Sequence, residues 1–247
     1  MPLPLTDRIA LVTGASRGIG YALALALARA GAHIVAVART VGGLEELDDA
    51  VRAAGSAATL VPLDMRDYDG FYRLAASLNE RHARLDVVVG NAAIGGQRSP
   101  LAHVMPPAWD EAMAVNVTAN YHLIRAMDPL LRRSAAGRAV FVTSGAATSA
   151  RAYAGPYSVS KAALNALART YADETHATTP VRVNLFNPGP TRTRMRAQVM
   201  PGEDPMTLPT PEQVAEKILE LCLPSFAETG KLYDYRAGKL LSFVEPA

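Results

Sequence analysis

The 247-residue sequence has little of what defines several common classes of protein. Cys222 is its one cysteine, so no disulfide can form within the chain and a reducing compartment is expected. Its five histidines lack the spacing of metal ligands, so no metal site is predicted. Lys and Arg number 25 against 23 Asp and Glu, a net charge of +2, which gives no electrostatic basis for a nucleic-acid or membrane partner.

Long apolar segments are also missing. The most apolar run, residues 22–28, is too short to cross a bilayer. Residues 1–8 have neither the basic segment nor the apolar core of a signal peptide, so a cytoplasmic protein is expected. Contents of 49% hydrophobic and 19% charged residues are those of a globular protein with a large core.

Short apolar runs alternate with helical segments along the chain. The seven predicted strands are 9–13, 33–38, 59–63, 85–89, 138–144, 181–186 and 231–235. The main predicted helices end near residues 30, 54, 82, 131 and 221, and another carries Tyr157. This alternation predicts a single-domain, doubly wound α/β Rossmann fold, with about seven parallel strands flanked by helices. We expect residues 1–95 to form roughly the nucleotide half and residues 96–247 the catalytic half.

A glycine-rich loop, Thr13-Gly14-Ala15-Ser16-Arg17-Gly18-Ile19-Gly20, joins the first strand to the first helix. Gly14 permits a tight turn, whereas Gly18 and Gly20 allow a pyrophosphate to approach the helix N-terminus. Because of this strand-to-helix context, the loop predicts a dinucleotide site that includes Ser16, Arg17 and Ile19. A plain turn between strand and helix is the alternative.

The end of the second strand indicates which dinucleotide binds. NAD-binding proteins place an acidic residue about 20 positions beyond the loop. Here residues 37–40 are Val-Ala-Arg-Thr, and the first carboxylate is that of Glu45. Arg39 and Arg17 together suit a 2′-phosphate, so NADP(H) is favoured and NAD(H) is the alternative. For either arginine alone, a solvated side chain is the favoured explanation.

Residues 138–161 carry the most reactive combination of side chains. Ser144 ends a strand rich in β-branched residues. Tyr157 and Lys161 lie four positions apart on one helix face. A neighbouring ammonium lowers the pKa of a phenol from about 10, which would make Tyr157 an acid or base. Ser144 can donate a hydrogen bond to a carbonyl oxygen that gains charge. On its own, a Tyr-x-x-x-Lys pair is more often an ordinary solvated helix face.

In order and spacing, these motifs resemble the short-chain dehydrogenase/reductase family over nearly the whole chain. The matching positions are the Thr-Gly-x3-Gly-x-Gly of residues 13–20, Asn116, Ser144, Tyr157, Lys161, Pro188, Gly189 and Thr191. Two segments depart from the family pattern. Ala93 stands where glycine is common, and residues 235–238, Tyr-Arg-Ala-Gly, replace Val-Asp-Gly-Gly.

The resemblance implies a catalytic role for four residues. Tyr157 would donate or accept the proton, and Lys161 would lower its pKa and hold the nicotinamide ribose. Ser144 would orient the substrate carbonyl, and Asn116 would anchor a water that relays protons to Lys161.

The resemblance also implies cofactor contacts. Asp64 would contact the adenine and Thr191 the carboxamide, although Asp64 is equally explained as a helix cap or loop residue. The remaining implied contacts are Asn91, Ala92, Pro188 and Gly189.

The reaction implied is hydride transfer between the nicotinamide and a carbonyl or secondary alcohol of a small or medium organic molecule. A homodimer or homotetramer is expected. The alternatives are a non-catalytic dinucleotide-binding sensor and an NAD(P)-using lyase or epimerase. Arg192, Arg194 and Arg196 either meet an anionic substrate or form a solvated basic edge, and the latter is favoured.

Overall fold

Strands and helices alternate along residues 3–243, which are the residues that the computed structural model describes. The strands are β1 Ile9–Thr13, β2 His33–Ala38, β3 Ala58–Pro62, β4 Val87–Gly90, β5 Arg138–Val142, β6 Arg182–Asn187, β7 Leu232–Asp234 and β8 Lys239–Leu241. The helices are α1 Gly18–Arg29, α2 Val41–Ala53, α3 Tyr68–His82, α4 Pro106–Met113, α5 Ala119–Leu131, α6 Ala146–Ser149, α7 Gly155–His176, α8 Arg194–Val199 and α9 Pro211–Cys222.

The eight strands found within residues 3–243 belong to one sheet in the order β3-β2-β1-β4-β5-β6-β7-β8. Neighbours from β3 to β7 are parallel, and only β7 and β8 pair antiparallel. The strand order reverses between β1 and β4, so a crevice is expected at their carboxyl ends, where open α/β sheets bind ligands. The predicted doubly wound α/β fold is confirmed.

The sheet has one strand more than the seven predicted. At the end of β7 the Asp234 carboxylate accepts a hydrogen bond from the Ala237 amide at 2.9 Å, and Gly238 adopts a φ of +62°. Together these turn the chain back, so that residues 239–241 pair with β7 as an antiparallel edge strand. The turn consists of residues 235–238, the segment that departs from the family pattern.

Each face of the sheet is covered by its own set of helices. Along β1, Val12 packs in the cluster that includes α1 and α9, whereas Leu11 packs in the cluster that includes α3, α5 and α7. Successive side chains of a strand point to opposite faces, so a strand covered on both sides must be apolar throughout. All five residues of β1 are buried, which accounts for the apolar run Ile9 to Val12; Thr13, the last residue, is polar and hydrogen-bonded.

The single long helix predicted to end at residue 131 is divided in the structure. It consists of α4 and α5, joined by a π-helical turn over Ala114–Thr118. Such turns widen the helix and are frequent at functional sites. Asn116 lies in this turn.

Over residues 3–243, each helix is too short or too polar to cross a membrane. In the same part of the chain, no three His, Cys, Asp or Glu side chains group in a way that could hold a metal ion. Cys222 is buried, and burial raises the pKa of its thiol to about 12.

We expect the substitution Gly20→Ala to lower the free energy of unfolding by about 1–3 kcal/mol, because the site has no room for a methyl group. That methyl would lie 2.3 Å from the Gly14 carbonyl oxygen and 2.5 Å from Asn91 Nδ2. The matched control is Gly42→Ala in α2, where the added methyl would have no atom within 4 Å other than those of its chain neighbours and its own helix backbone. It should raise stability by about 0.4–1 kcal/mol. Urea unfolding compares the two, and equal effects would contradict this view of the packing.

Candidate active site

The turn between β1 and α1 is built to receive an anion. Gly14 and Gly18 have φ values of +67° and +58°, which favour glycine. Helix α1 begins at Gly18, and within residues 3–243 its N-cap residue, Arg17, makes no side-chain cap hydrogen bond. The first amides of α1 therefore lack a side-chain acceptor and are available to a ligand such as a pyrophosphate.

Thr13, which precedes this turn, is hydrogen-bonded to the residues that follow β4. Its Oγ1 accepts hydrogen bonds from the amides of Asn91 and Ala92, each at 3.0 Å. In return Asn91 Nδ2 donates to the Thr13 carbonyl at 2.9 Å. The predicted cofactor residues Asn91 and Ala92 are thus held beside the glycine loop. Ala93 does not have a positive φ, so its methyl group introduces no backbone strain.

Arg17 lies in the glycine loop, and Arg39 follows β2 in a segment that this loop approaches. The glycine loop contacts the start of α2, because a methyl on Gly43 would lie 2.7 Å from the Ser16 carbonyl oxygen. The loop also reaches the end of β2, next to Arg39, since the Ala15 amide donates to the Val37 carbonyl at 3.2 Å. The Arg39 side chain is 59% exposed, which leaves its guanidinium accessible to a ligand.

Asp64 is held mainly by a neighbouring arginine. Its two carboxylate oxygens accept from Arg66 Nε at 3.1 Å and from the Arg66 terminal nitrogen at 2.9 Å. Arg39 lies farther off, with a nitrogen 3.8 Å from Asp64 Oδ2. The hydrogen bonds from Arg66 lower the pKa of Asp64 to about 2. The carboxylate stays ionised at neutral pH and provides an acceptor at the end of β3.

Lys161, a residue of α7, is buried against the carboxyl end of β5. Its side-chain Nζ donates a hydrogen bond to the Val142 carbonyl at 2.8 Å, and the residue is only 2% exposed. Burial disfavours the ammonium and lowers the pKa of Lys161 to about 8. The Nζ atom lies 5.8 Å from the centre of the Tyr157 ring, so the predicted convergence of these two groups is present.

Tyr157 has a pKa above its usual value, because burial disfavours the phenolate. Hydrogen bonding to Ser144 opposes this shift only in part. The expected lowering by Lys161 is not seen here, since the Lys161 ammonium is directed at the Val142 carbonyl. Tyr157 is therefore protonated at neutral pH. Ser144 Oγ accepts from the Ala146 amide at 3.2 Å, which leaves the hydroxyl proton available for donation.

The Asn116 side chain forms hydrogen bonds to both the loop after β4 and α7. Its Oδ1 accepts from the Ile94 amide, and its Nδ2 donates to the Ile94 carbonyl and to Ser160 Oγ, each at 2.9 Å. These bonds occupy the side chain, so a water anchored here would bind the main-chain carbonyl. That carbonyl already accepts from Asn120 Nδ2 at 2.9 Å and has a second lone pair.

The segment after β6 reaches across to the nucleotide end. Gly189 has a φ of +62°, and Thr191 is 4% exposed, with its Oγ1 3.4 Å from the carbonyl oxygens of Pro188 and Gly189. Thr193 caps α8, and a methyl on Gly18 would lie 3.5 Å from its Cγ2. The predicted residues Pro188, Gly189 and Thr191 therefore lie at the same edge of the sheet as the glycine loop, where the parallel strands have their carboxyl ends.

Two of the three arginines considered for an anionic substrate stabilise their own loop instead. Arg196 forms a two-point pair with Glu203, at 2.5 and 2.7 Å. Arg192 Nε donates to the Pro205 carbonyl at 2.8 Å. Their guanidinium groups order residues 192–205, which form α8 and the turns that follow it.

Sequence reasoning missed Asn165, although a signal for it existed. Asn165 follows Lys161 by four positions, as Lys161 follows Tyr157, so the three share one face of α7. Its Oδ1 accepts from Thr143 Oγ1 at 2.5 Å. This bond fixes the residue that precedes Ser144.

The model of the short chain dehydrogenase family matches residues 8–204. The chain is 36% identical over 239 residues to YciK of Escherichia coli K12, an uncharacterized oxidoreductase, covering 95% of this chain and 94% of that protein. The chain therefore belongs to the short chain dehydrogenase family, whose members are oxidoreductases.

Two solved structures are close in fold. A short chain dehydrogenase from Pseudomonas syringae has a TM-score of 0.91 at 39% identity, over 95% of this chain and 96% of that one. A short chain dehydrogenase from Escherichia coli CFT073, complexed with NADPH, has a TM-score of 0.90 at 36% identity, over 95% of this chain and 98% of that one.

Proposed function

We propose that this chain is an NADP(H)-dependent oxidoreductase that transfers a hydride between the nicotinamide and a carbonyl or secondary alcohol. Its substrate would be a small or medium organic molecule. The proposal is carried by the proximity of Tyr157, Ser144 and Lys161 to one another at the carboxyl edge of the sheet, where the glycine loop also lies. The NADPH complex of the similar Escherichia coli CFT073 protein supports the choice of cofactor.

The residues present fit a nicotinamide dinucleotide. The open amides of α1 suit the pyrophosphate, and Arg17 and Arg39 suit the 2′-phosphate. Lys161 would hold the nicotinamide ribose and Thr191 the carboxamide. When bound, the cofactor supplies or accepts the hydride.

During carbonyl reduction the substrate oxygen gains negative charge. Ser144 stabilises that charge by donating its hydroxyl proton in a hydrogen bond, and Tyr157 neutralises it by transferring the phenolic proton. The raised pKa of Tyr157 suits this direction, because the phenol is protonated before the reaction. The Lys161 ammonium, which is hydrogen-bonded to the Val142 carbonyl, would have to turn toward the Tyr157 ring, whose centre lies 5.8 Å from its Nζ, to stabilise the phenolate that remains.

Other parts of the proposal are expectations. We propose that the chain works as a single domain, with its nucleotide half at residues 1–95 and its catalytic half at residues 96–247. Assembly as a homodimer or homotetramer and a cytoplasmic location stay predictions.

Replacing Tyr157 by Phe should lower kcat for carbonyl reduction by about 100-fold or more while NADPH affinity changes little, because only the proton donor is lost. The control is Tyr171→Phe on the same helix, which removes a hydroxyl that donates to Asp128 at 2.8 Å. It should reduce stability but not kcat. NADPH oxidation and equilibrium binding measure the two effects, and full turnover in Tyr157→Phe would exclude it as the proton donor.

Replacing Arg39 by Asp should weaken NADPH binding by about 1.5–3 kcal/mol and change NADH binding far less, since only NADPH carries the 2′-phosphate. Arg29→Asp changes the net charge equally. It lies at the far end of α1, so it should leave both affinities nearly unchanged. Calorimetric titrations compare the variants, and equal losses for NADPH and NADH in Arg39→Asp would refute the 2′-phosphate site.

The kcat/KM for carbonyl reduction should be constant near pH 7 and fall as pH rises through about 8, the pKa of Lys161. The sign follows because reduction needs both the Lys161 ammonium and the Tyr157 phenol, and the ammonium loses its proton first. A pH–rate profile from about 6 to 10 measures the effect. A rate that rises steadily over this range is the result that this assignment forbids.

A further inference from the structure

Asn187, the last residue of β6, connects two segments of the candidate site. It is 8% exposed, and its Oδ1 accepts hydrogen bonds from the Gly145 amide at 3.0 Å and the Gly189 amide at 3.1 Å. Gly145 directly follows Ser144, and Gly189 belongs to the segment proposed to contact the nicotinamide. A single side-chain oxygen therefore holds the backbone on both the substrate side and the cofactor side.

The orientation of the Asn187 amide is fixed by its surroundings. Two backbone N–H donors face one end of the side chain, so that end must be the oxygen. The Nδ2 group then faces Asp234, at the end of β7, and donates to its Oδ2 at 2.9 Å. Asp234 Oδ1 accepts from the Ala237 amide at 2.9 Å.

Asp234 stands on the hairpin of β7 and β8. The Tyr235 amide also donates to the Asn187 carbonyl at 3.0 Å, which brings the start of the hairpin turn against the end of β6. The side-chain hydrogen bonds that link Asp234 to Gly145 and Gly189 run through the Asn187 amide. The hairpin thus has a side-chain connection to the site in addition to its backbone pairing with β6.

We propose that Asn187 and Asp234 form a positioning pair. The Asp234 carboxylate sets the direction of the Asn187 amide, and Asn187 holds the Ser144–Gly145 turn and Gly189 in the arrangement that hydride transfer needs. Neither residue touches the reacting atoms. The inference rests on the proposed function, and it gives the C-terminal hairpin a role in the chemistry.

Asn187 is the donor and Asp234 the acceptor in this pair, and substitutions can exchange these two roles. Asn187→Asp alone places two carboxylate oxygens about 2.9 Å apart. With Asp234→Asn alone, the new amide nitrogen faces a donor in either orientation of the side chain. It lies against Asn187 Nδ2 in one orientation and against the Ala237 amide in the other. Combining both substitutions restores each donor and acceptor, because an aspartate at 187 accepts from both glycines and from an asparagine at 234.

The test compares the full-length wild type, both single variants and the reciprocal double variant. Each single substitution should lower kcat by about tenfold or more, and the double variant should recover to within about threefold of wild type. The matched control is Asn184→Asp, three positions earlier on the same strand. Asn184 also bridges toward β7, through the Glu228 carbonyl at 2.8 Å and the Lys231 amide at 3.0 Å, but it lies toward the opposite end of β6. It should lower Tm without a tenfold loss of kcat.

A double variant no faster than the slower single variant would overturn the proposal. So would single variants with wild-type kcat, or an Asn184→Asp variant that loses as much kcat as Asn187→Asp. If the wild type oxidises no NADPH with any carbonyl compound, the proposed function has failed, and nitrogen-15 NMR still tests the pair. The Gly145 and Gly189 amide resonances should shift in both single variants and return in the double. Unchanged resonances in the single variants would contradict the positioning role.

Discussion

The hydrogen bond from the Lys161 ammonium to the Val142 carbonyl joins α7 to the end of β5. A buried ammonium is costly unless it finds acceptors, so this contact fixes how the helix sits on the sheet. Because Tyr157 lies one turn earlier on α7 and Ser144 lies just beyond β5, the same bond sets their separation. Burial also lowers the pKa of Lys161 to about 8, so the group that positions the site is also one that titrates near neutral pH.

Other polar contacts repeat this arrangement where the strands end. Thr13 joins the ends of β1 and β4, Asn116 joins the segment after β4 to α7, and Asn187 joins the ends of β5 and β6. Parallel strands finish at one edge of the sheet, and their last amides have no further partner in the ladder. Side chains that satisfy these amides also hold the loops that form the crevice. Stability and site geometry therefore depend on the same few bonds.

The sequence was sufficient for features whose parts are close along the chain. Tyr157 and Lys161 share a helix face by spacing alone, and the glycine loop shows its own strand and helix. Contacts between distant segments could not be predicted in this way, as with Asn187 and Asp234, because side-chain pairing depends on the completed sheet. Arg196 shows the same limit, since the basic pattern suited a ligand but the folded loop supplies Glu203 as its partner.

The central proposal for this protein is that the crevice binds a 2′-phosphorylated nicotinamide dinucleotide. Calorimetric titration of the purified wild-type chain with NADPH and with NADH tests this claim without knowledge of the substrate. We expect NADPH to bind at least tenfold more tightly than NADH, a difference of about 1.4 kcal/mol in binding free energy. Binding of neither dinucleotide would contradict it. Preference for NADH would contradict the role of Arg39 and Arg17 while keeping the dinucleotide site.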